Sequence, residues 1–209
     1  IFKLDTNSRI SLSNNDSSGA VGTTLFGYLA GANIVSGAIN NTYIGHGVGD
    51  ATHTNAADNN TGVGYNALTA LTTGLENTAI GAGAMAGLTA GGYNTAVGKN
   101  ALAQATTQSD QNTAIGRAAM SGAIGTEDIN YCTAVGDGAL GGALVAATSG
   151  TTAVGYNSLT ALTTGAQNTA VGYLALTGLV TGTGNTAVGY QAANALGAAE
   201  QYNTSVGFG

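Results

Sequence analysis

The sequence predicts an all-β fold, a parallel β-solenoid or β-roll of about eleven repeats, each 17–20 residues long. Three observations lead to this prediction. A pattern of the form Asn-Thr-Ala-Val-Gly recurs along most of the chain. Its period is too short for a βαβ unit, which needs roughly 30 residues. The 209 residues also include 35 glycines and no proline or tryptophan, which suits thin stacked layers better than one thick aromatic core.

The repeat is defined by its glycine, which follows Val or Ile in ten copies and Phe26 in the other. Thr lies three residues before this glycine in all eleven copies, and Asn lies one residue earlier in eight. The eleven glycines are Gly27, Gly45, Gly64, Gly81, Gly98, Gly116, Gly136, Gly155, Gly172, Gly189 and Gly207. The residues that we assign to the structural repeat include Thr78, Val97, Gly98, Asn168, Thr169, Val171 and Gly172.

The alternation of side chains along a strand predicts which residues line the core. Residues two apart share a face of an extended strand. We therefore expect Thr and Val to point into the coil, where β-branched side chains pack, and the Ala and Gly positions to form a flat outer face. A Leu or Met lies four residues after the glycine in seven copies, and we expect this segment to return as a second short strand. The Asn residues are expected to turn the chain and to stack from coil to coil.

Composition excludes several classes of function. The four basic residues are dispersed among ten acidic ones, so the chain lacks the basic cluster that nucleic acid requires. Its apolar stretches are short and interrupted, so we expect no membrane insertion. The single cysteine, Cys132, argues against a disulfide framework and against a Cys-based metal site. Helical repeats would need fewer glycines and a longer period. We expect no cofactor.

Two regions follow from the repeat pattern. Residues 1–22 lie outside it, and the strings IFKLD and RISLS predict two short strands that act as an N-terminal cap or junction. Residues 23–209 form the repeat domain, which stops in the middle of a repeat at its C-terminus. We therefore expect the chain to be a segment of a longer fibre with modules upstream and downstream.

The repeat resembles a known family. The strings NTAVGYLAL, NTAIGAGAM, NTAIGRAAM and NTAVGKNAL are similar to the head repeats of trimeric autotransporter adhesins and to related repeats in bacteriophage tail fibres. This resemblance covers residues 23–209. It implies a left-handed parallel β-roll in a homotrimer, displayed extracellularly on a cell or virion for attachment. The repeats of 17–20 residues are longer than the most compact adhesin-head repeats, so larger turns are expected.

The tyrosines are the candidates for surface recognition. Tyr follows the repeat glycine in five copies, and a second group precedes the Asn position. These side chains either cover the edges of the coils or contact a cell-surface glycan, since Tyr offers both a stacking face and a hydroxyl. The first group is Tyr28, Tyr65, Tyr156, Tyr173 and Tyr190, with Phe208 equivalent, and the second is Tyr93, Tyr131 and Tyr202.

The connectors contain the remaining candidates. Residues 49–60, 121–132 and 141–151 are enlarged, and such insertions either are tolerated in length or form binding loops. Glu127 and Asp128 add carboxylates to one of them, but as neighbours in a strand they would face opposite ways. Residues His46, Asp50, His53 and Asp58 could in principle ligate a metal, yet their spacing matches no defined site, so we predict none.

These observations favour a non-enzymatic fibre segment, from a phage tail fibre or a surface adhesin, that serves as rigid spacer and multivalent attachment element. A phage origin is favoured slightly, because an adhesin would need a membrane anchor, which this segment does not contain. The alternative is an ice-binding solenoid, whose Thr column would have to face outward. A glycoside-cleaving tailspike would need two carboxylates converging across a cleft, which the sequence does not display.

Overall fold

The computed structural model describes residues 10–11, 21–51, 53–54, 56–105, 108–122, 128–144 and 148–209. Its regular elements are short strands. The first, β1, spans Ile10–Ser11, and each later strand spans three residues. They are β2 (Thr24–Phe26), β3 (Thr42–Ile44), β4 (Thr61–Val63), β5 (Thr78–Ile80), β6 (Thr95–Val97), β7 (Thr113–Ile115), β8 (Thr133–Val135), β9 (Thr152–Val154), β10 (Thr169–Val171), β11 (Thr186–Val188) and β12 (Thr204–Val206).

Strands β2 to β12 form one parallel sheet in chain order. Each Thr pairs with the Thr of the next repeat, as Thr78 does with Thr95. Every repeat therefore contributes one strand and one coil, which confirms the predicted all-β parallel solenoid. At the N-terminal edge, β1 pairs with β2 in the antiparallel direction, Ile10 opposite Phe26. The string IFKLD lies outside the described residues, and the boundary at residue 22 stays a prediction.

The expected second strand in each coil is wrong. The Leu/Met segment consists of turns, in which Leu71 N–H donates to the Leu68 carbonyl at 3.1 Å and Leu88 N–H to the Met85 carbonyl at 3.2 Å. These turns still bond to the next coil, because Met85 N–H donates to the Ala101 carbonyl. Two closely spaced left-handed residues, such as Asn100 at φ 57° and Leu102 at φ 50°, prevent an extended strand here.

The left-handed Leu and Met residues place their side chains in the core. Across seven coils their φ lies between 50° and 54°, a conformation that bulky residues rarely adopt. Such strain costs about 1–3 kcal/mol. Full burial of a Leu or Met side chain returns about 1.5–3 kcal/mol. The buried side chains are Leu68, Met85, Leu102, Met120, Leu140, Leu159 and Leu176.

The predicted orientation of the strands is also wrong. The middle residue of each strand faces inward, while Thr and Val or Ile face outward. Ala79 is 0% exposed, whereas the following Ile80 is 41% exposed. The middle position of the strand, which lies in the interior next to the Leu/Met turns, holds a small residue in most coils, usually Ala. The face that we expected to be flat and external is the core, and the β-branched face is external.

The Asn residues explain this orientation. Asn and the middle strand residue are two apart and so share a face. The Asn side chains form a buried amide ladder: Asn77 Nδ2 donates to Asn60 Oδ1 at 3.1 Å and to the Gly91 carbonyl at 2.8 Å. Asn60 Oδ1 also accepts the Asn77 backbone N–H at 3.0 Å. Because these bonds need a dry interior, the Asn face must point inward. The predicted stacking of Asn from coil to coil is confirmed.

The repeat glycine permits the close approach of successive coils. Gly98 has φ 135°, outside the range open to other residues. A Cβ atom there would lie 2.6 Å from the carbonyl carbon of Gly116 in the next coil. The same clash recurs at all the other repeat glycines except the last, Gly207, so a side chain at this position would force adjacent coils apart.

Candidate functional site

The outer face, formed by the first and third residues of strands β2 to β12, repeats from coil to coil along the sheet. Its first column consists entirely of Thr and its second of Val or Ile, apart from Phe26. The second column is exposed in six strands, as at Ile44, Ile80 and Ile115, and half-buried in the other five. No strand contributes a charged side chain to this face. An apolar column of this length is unusual on a monomer, where exposed apolar patches normally stay small.

An aromatic ladder borders the outer face, beyond the glycine column. Tyr156, Tyr173, Tyr190 and Phe208 follow the glycines of four consecutive coils. Their ring centroids are 5.2, 5.1 and 5.1 Å apart, and successive ring planes differ by 12°, 7° and 11°. The ring faces therefore cover one another. What the ladder offers to solvent is a row of ring edges and phenolic hydroxyls, which argues against a sugar stacking face-on along it.

The same column begins differently near the N-terminus. Tyr28, His46 and Tyr65 succeed one another with centroids 5.0 and 5.3 Å apart, but their planes are tilted by 57° and 50°. The sequence suggests His46 only as a possible metal ligand, yet it occupies the position that Tyr fills elsewhere. Alignment on Gly45 is the signal that identifies this role.

Charged residues fill the middle of the column. Lys99, Arg117 and Asp137 follow the glycines of three consecutive coils, and Arg117 pairs with Asp137. The Nη2–Oδ1 distance is 2.8 Å and the Nε–Oδ2 distance is 2.9 Å. The Arg117 side chain is 65% exposed, so this pair contributes little to stability, about 1 kcal/mol or less. The column after the glycine is thus a general site of coil-to-coil side-chain pairing.

The second group of tyrosines does not form a ladder. Tyr93, Tyr131 and Tyr202 are exposed and adopt left-handed conformations with φ of 60°, 60° and 56°. Gln111 occupies the equivalent position between Tyr93 and Tyr131. The structure therefore leaves Tyr131 apart from Tyr65, Tyr156, Tyr173 and Tyr190, the recognition candidates of the other column.

Only one of the two neighbouring carboxylates lies within the described residues. Asp128 is partly buried, and its Oδ1 accepts the backbone N–H of Gln108 from the previous coil at 3.2 Å. This bond makes Asp128 a link between coils. Glu127 lies outside the described residues, so the pair as such stays a prediction.

Of the four candidate metal ligands, His46, His53 and Asp58 have different contacts, and Asp50 is partly buried. His46 is exposed beside Tyr28 and Tyr65. His53 is buried, with Nδ1 2.9 Å from the Ala51 carbonyl and Nε2 2.9 Å from the Tyr43 hydroxyl. Asp58 Oδ1 accepts the Ile39 N–H at 2.8 Å. Within the described part of the chain, no three His, Cys, Asp or Glu residues cluster in a way that could hold a metal.

Burial shifts the pKa values of the interior titratable groups. Desolvation lowers the pKa of His53, an effect that the bond to Ala51 partly opposes. Desolvation, with a further contribution from Asp58, raises the pKa of Tyr43. Burial likewise raises the pKa of the Cys132 thiol, which stays protonated and lies 3.3 Å from the Thr148 carbonyl. These groups are structural: none lies on the outer face or in the aromatic ladder.

No helix among the described residues is long and apolar enough to cross a membrane. Comparison of the chain with protein-family models, with curated proteins and with solved structures gave no match.

Proposed function

We propose that this chain is a segment of a non-enzymatic extracellular fibre in which three copies associate through their outer faces. The fibre acts as a rigid spacer and as a multivalent attachment element on a phage tail or a bacterial surface. The observation that carries the proposal is the outward column of Val and Ile, with Phe26 in β2, which is exposed or half-buried and runs without a charged residue from β2 to β12. A second copy of the chain would cover it.

The repetition of the outer face suits self-association. Each coil presents Thr with Val or Ile, apart from Phe26 in β2, so copies aligned in parallel bring similar residues together at every level. Each contact is small, but eleven levels add to a long interface, and burial returns about 25 cal/mol per Å² of apolar surface. The number three comes from the resemblance to the head repeats of trimeric adhesins.

The test is the mass of the purified chain in solution, measured by light scattering after gel filtration. We expect a trimer. Replacing Ile80→Asp together with Ile115→Asp would bring like charges together at two levels and should yield monomers that keep the β-sheet circular dichroism signal. The matched control Gln104→Asp together with Gln167→Asp adds the same charge at exposed positions outside the strands. A wild-type chain that stays monomeric at high concentration would overturn the proposal.

The outward Thr column favours one alternative, an ice-binding surface. In that case the regular hydroxyls of Thr78, Thr95, Thr113 and their equivalents would contact ice directly, and the outer face would have to be free of partner chains. Thermal hysteresis distinguishes the two functions. A monomer with hysteresis that is lost on Thr95→Leu and Thr113→Leu replacement would support ice binding, while a trimer without hysteresis would remove it.

A further inference from the structure

We propose that the aromatic ladder of Tyr156, Tyr173, Tyr190 and Phe208 is the attachment site and that it binds an uncharged, extended polysaccharide running along the solenoid axis. This inference rests on the proposed attachment function, which it deepens by naming the ligand class and the residues. The shape of the ladder, its charge and its period all point to this ligand.

The shape of the ladder favours a ligand that forms hydrogen bonds with the phenolic hydroxyls at the ring edges. Each of the three tyrosines is 42–47% exposed, although its ring faces are covered by its neighbours. Among the described residues, their hydroxyls have no protein partner, so they are available to a ligand. A phenolic hydroxyl both donates and accepts hydrogen bonds, which matches the hydroxyls of a sugar. The ring edges supply apolar contact beside them.

The charge around the ladder selects a neutral ligand. From residue 148 to residue 209, Glu200 is the only acidic or basic side chain. A sulfated or uronic-acid polymer, or a phosphate-rich one, would find no cation to pair with in these coils. The bases Lys99 and Arg117 belong to the preceding part of the column, where Asp137 already engages Arg117.

The period of the ladder selects a polymer. The hydroxyl-bearing rings of successive coils lie 5.1–5.2 Å apart, measured between ring centroids. This spacing is close to the length of one sugar residue in an extended pyranose chain. Such a chain lying parallel to the axis would place one sugar beside each ring, so that several weak contacts act together. The tilted group of Tyr28, His46 and Tyr65 lacks this regularity.

The experiment uses affinity electrophoresis of the purified chain in native gels containing one polymer at a time. The probes are hydroxyethyl cellulose as a neutral extended chain and hyaluronate as an acidic one. We expect retardation by hydroxyethyl cellulose alone. The triple variant Tyr156→Phe, Tyr173→Phe, Tyr190→Phe keeps the stacked rings and removes the hydroxyls, and we expect it to lose at least tenfold in affinity. The control Tyr28→Phe with Tyr93→Phe removes two exposed hydroxyls outside the ladder and should bind like the wild type.

Three results would overturn this inference: no retardation by hydroxyethyl cellulose, stronger retardation by hyaluronate, or a triple variant that binds as well as the wild type. Mass in solution separates this inference from the proposed assembly. A trimer that fails to bind the neutral polymer would refute the proposed ligand but not the proposed fibre assembly. A monomer that binds it through the ladder refutes the trimer and leaves the ligand site.

Discussion

The interior of the coils of β5 to β7 differs from that of the coils of β8 and β9. In the first region Asn77, Asn94 and Asn112 continue the amide ladder without a break. In the second region the same column holds Cys132 and then Thr151. The Cys132 thiol lies 3.3 Å from the carbonyl to which an Asn amide would donate. Within the described residues, Thr151 Oγ1 is the one buried side-chain oxygen or nitrogen without a hydrogen-bond partner.

This difference shows that the amide ladder is a chain of hydrogen bonds, in which each Asn side chain bonds to groups of the coil before it and of the coil after it. A residue that lacks the amide keeps the fold but leaves some of these groups unpaired. Burying an unpaired polar group costs about 1–3 kcal/mol. The stability of each coil therefore depends on its neighbours, as in other linear repeat proteins.

The largest effect should follow from breaking the continuous region with Asn94→Ala. The Asn112 backbone N–H would lose its acceptor, Asn94 Oδ1 at 2.9 Å, and the Ser109 carbonyl would lose its donor at 2.7 Å. We expect a loss of about 2–5 kcal/mol in the free energy of unfolding, since each orphaned group costs about 1–3 kcal/mol. Urea denaturation followed by circular dichroism measures it.

Cys132→Ala is the matched control for this variant. It removes the side chain at the equivalent position but keeps the backbone N–H that donates to Asn112 Oδ1 at 2.9 Å. Because only the weak thiol contacts are lost, we expect a cost of about 1 kcal/mol or less. Equal destabilisation by the two variants would show that the hydrogen bonds of the Asn side chains contribute nothing specific to stability.

The coil of β3 should give a smaller effect on stability, which is confined to acid pH. In this coil Tyr43 and His53 form a pair inside the core. Burial lowers the pKa of His53 in the folded chain. Below about pH 6.5, the ordinary value for His, the unfolded chain therefore binds a proton that the folded chain does not. The midpoint of thermal unfolding should fall as the pH drops from 6.5 toward the lowered pKa.

The reference for this experiment is Tyr43→Phe with His53→Leu, which removes both members of the pair. Leu71 and Leu88 occupy the corresponding position in the next two coils, so Leu suits this part of the core. Exposed His46 is present in both chains and cancels from the comparison. Parallel decreases in the unfolding midpoint between pH 7 and 5.5 would contradict the assignment to His53.

The smallest effect should be a gain in stability at Thr151, where the Asn column is interrupted. Thr151→Val replaces the unpaired hydroxyl by a methyl group of the same shape, and we expect the free energy of unfolding to rise by about 1 kcal/mol. Thr23→Val is the matched control, because Thr23 occupies the same column and its Oγ1 lies within hydrogen-bond distance of the Asn41 N–H, at 3.4 Å, and of the Ala38 carbonyl, at 3.5 Å. It should destabilise. A loss of stability in the Thr151 variant would mean that its hydroxyl is satisfied.

The sequence predicted the candidate surface only in part. The glycine alignment was sufficient to group Tyr156, Tyr173 and Tyr190 in one column, because one coil per repeat brings equivalent residues together. It could not show that their ring faces are covered, since the tilt of a ring depends on its neighbour. The same alignment contained the place of His46 and of Arg117 with Asp137. Position in the repeat, and not residue type, is the signal that identifies these contacts.

The sequence by itself determined the number of repeats and the register of the sheet, because an invariant Thr three residues before an obligatory glycine admits one alignment. Only the tertiary structure decided which face is inside. Alternation along a strand groups Thr with Val and Asn with Ala but does not say which group is buried. The choice follows from cooperative hydrogen bonds between Asn side chains of successive coils, and from the left-handed turns that fill the core with Leu and Met. Both are properties of stacked coils and of no single repeat.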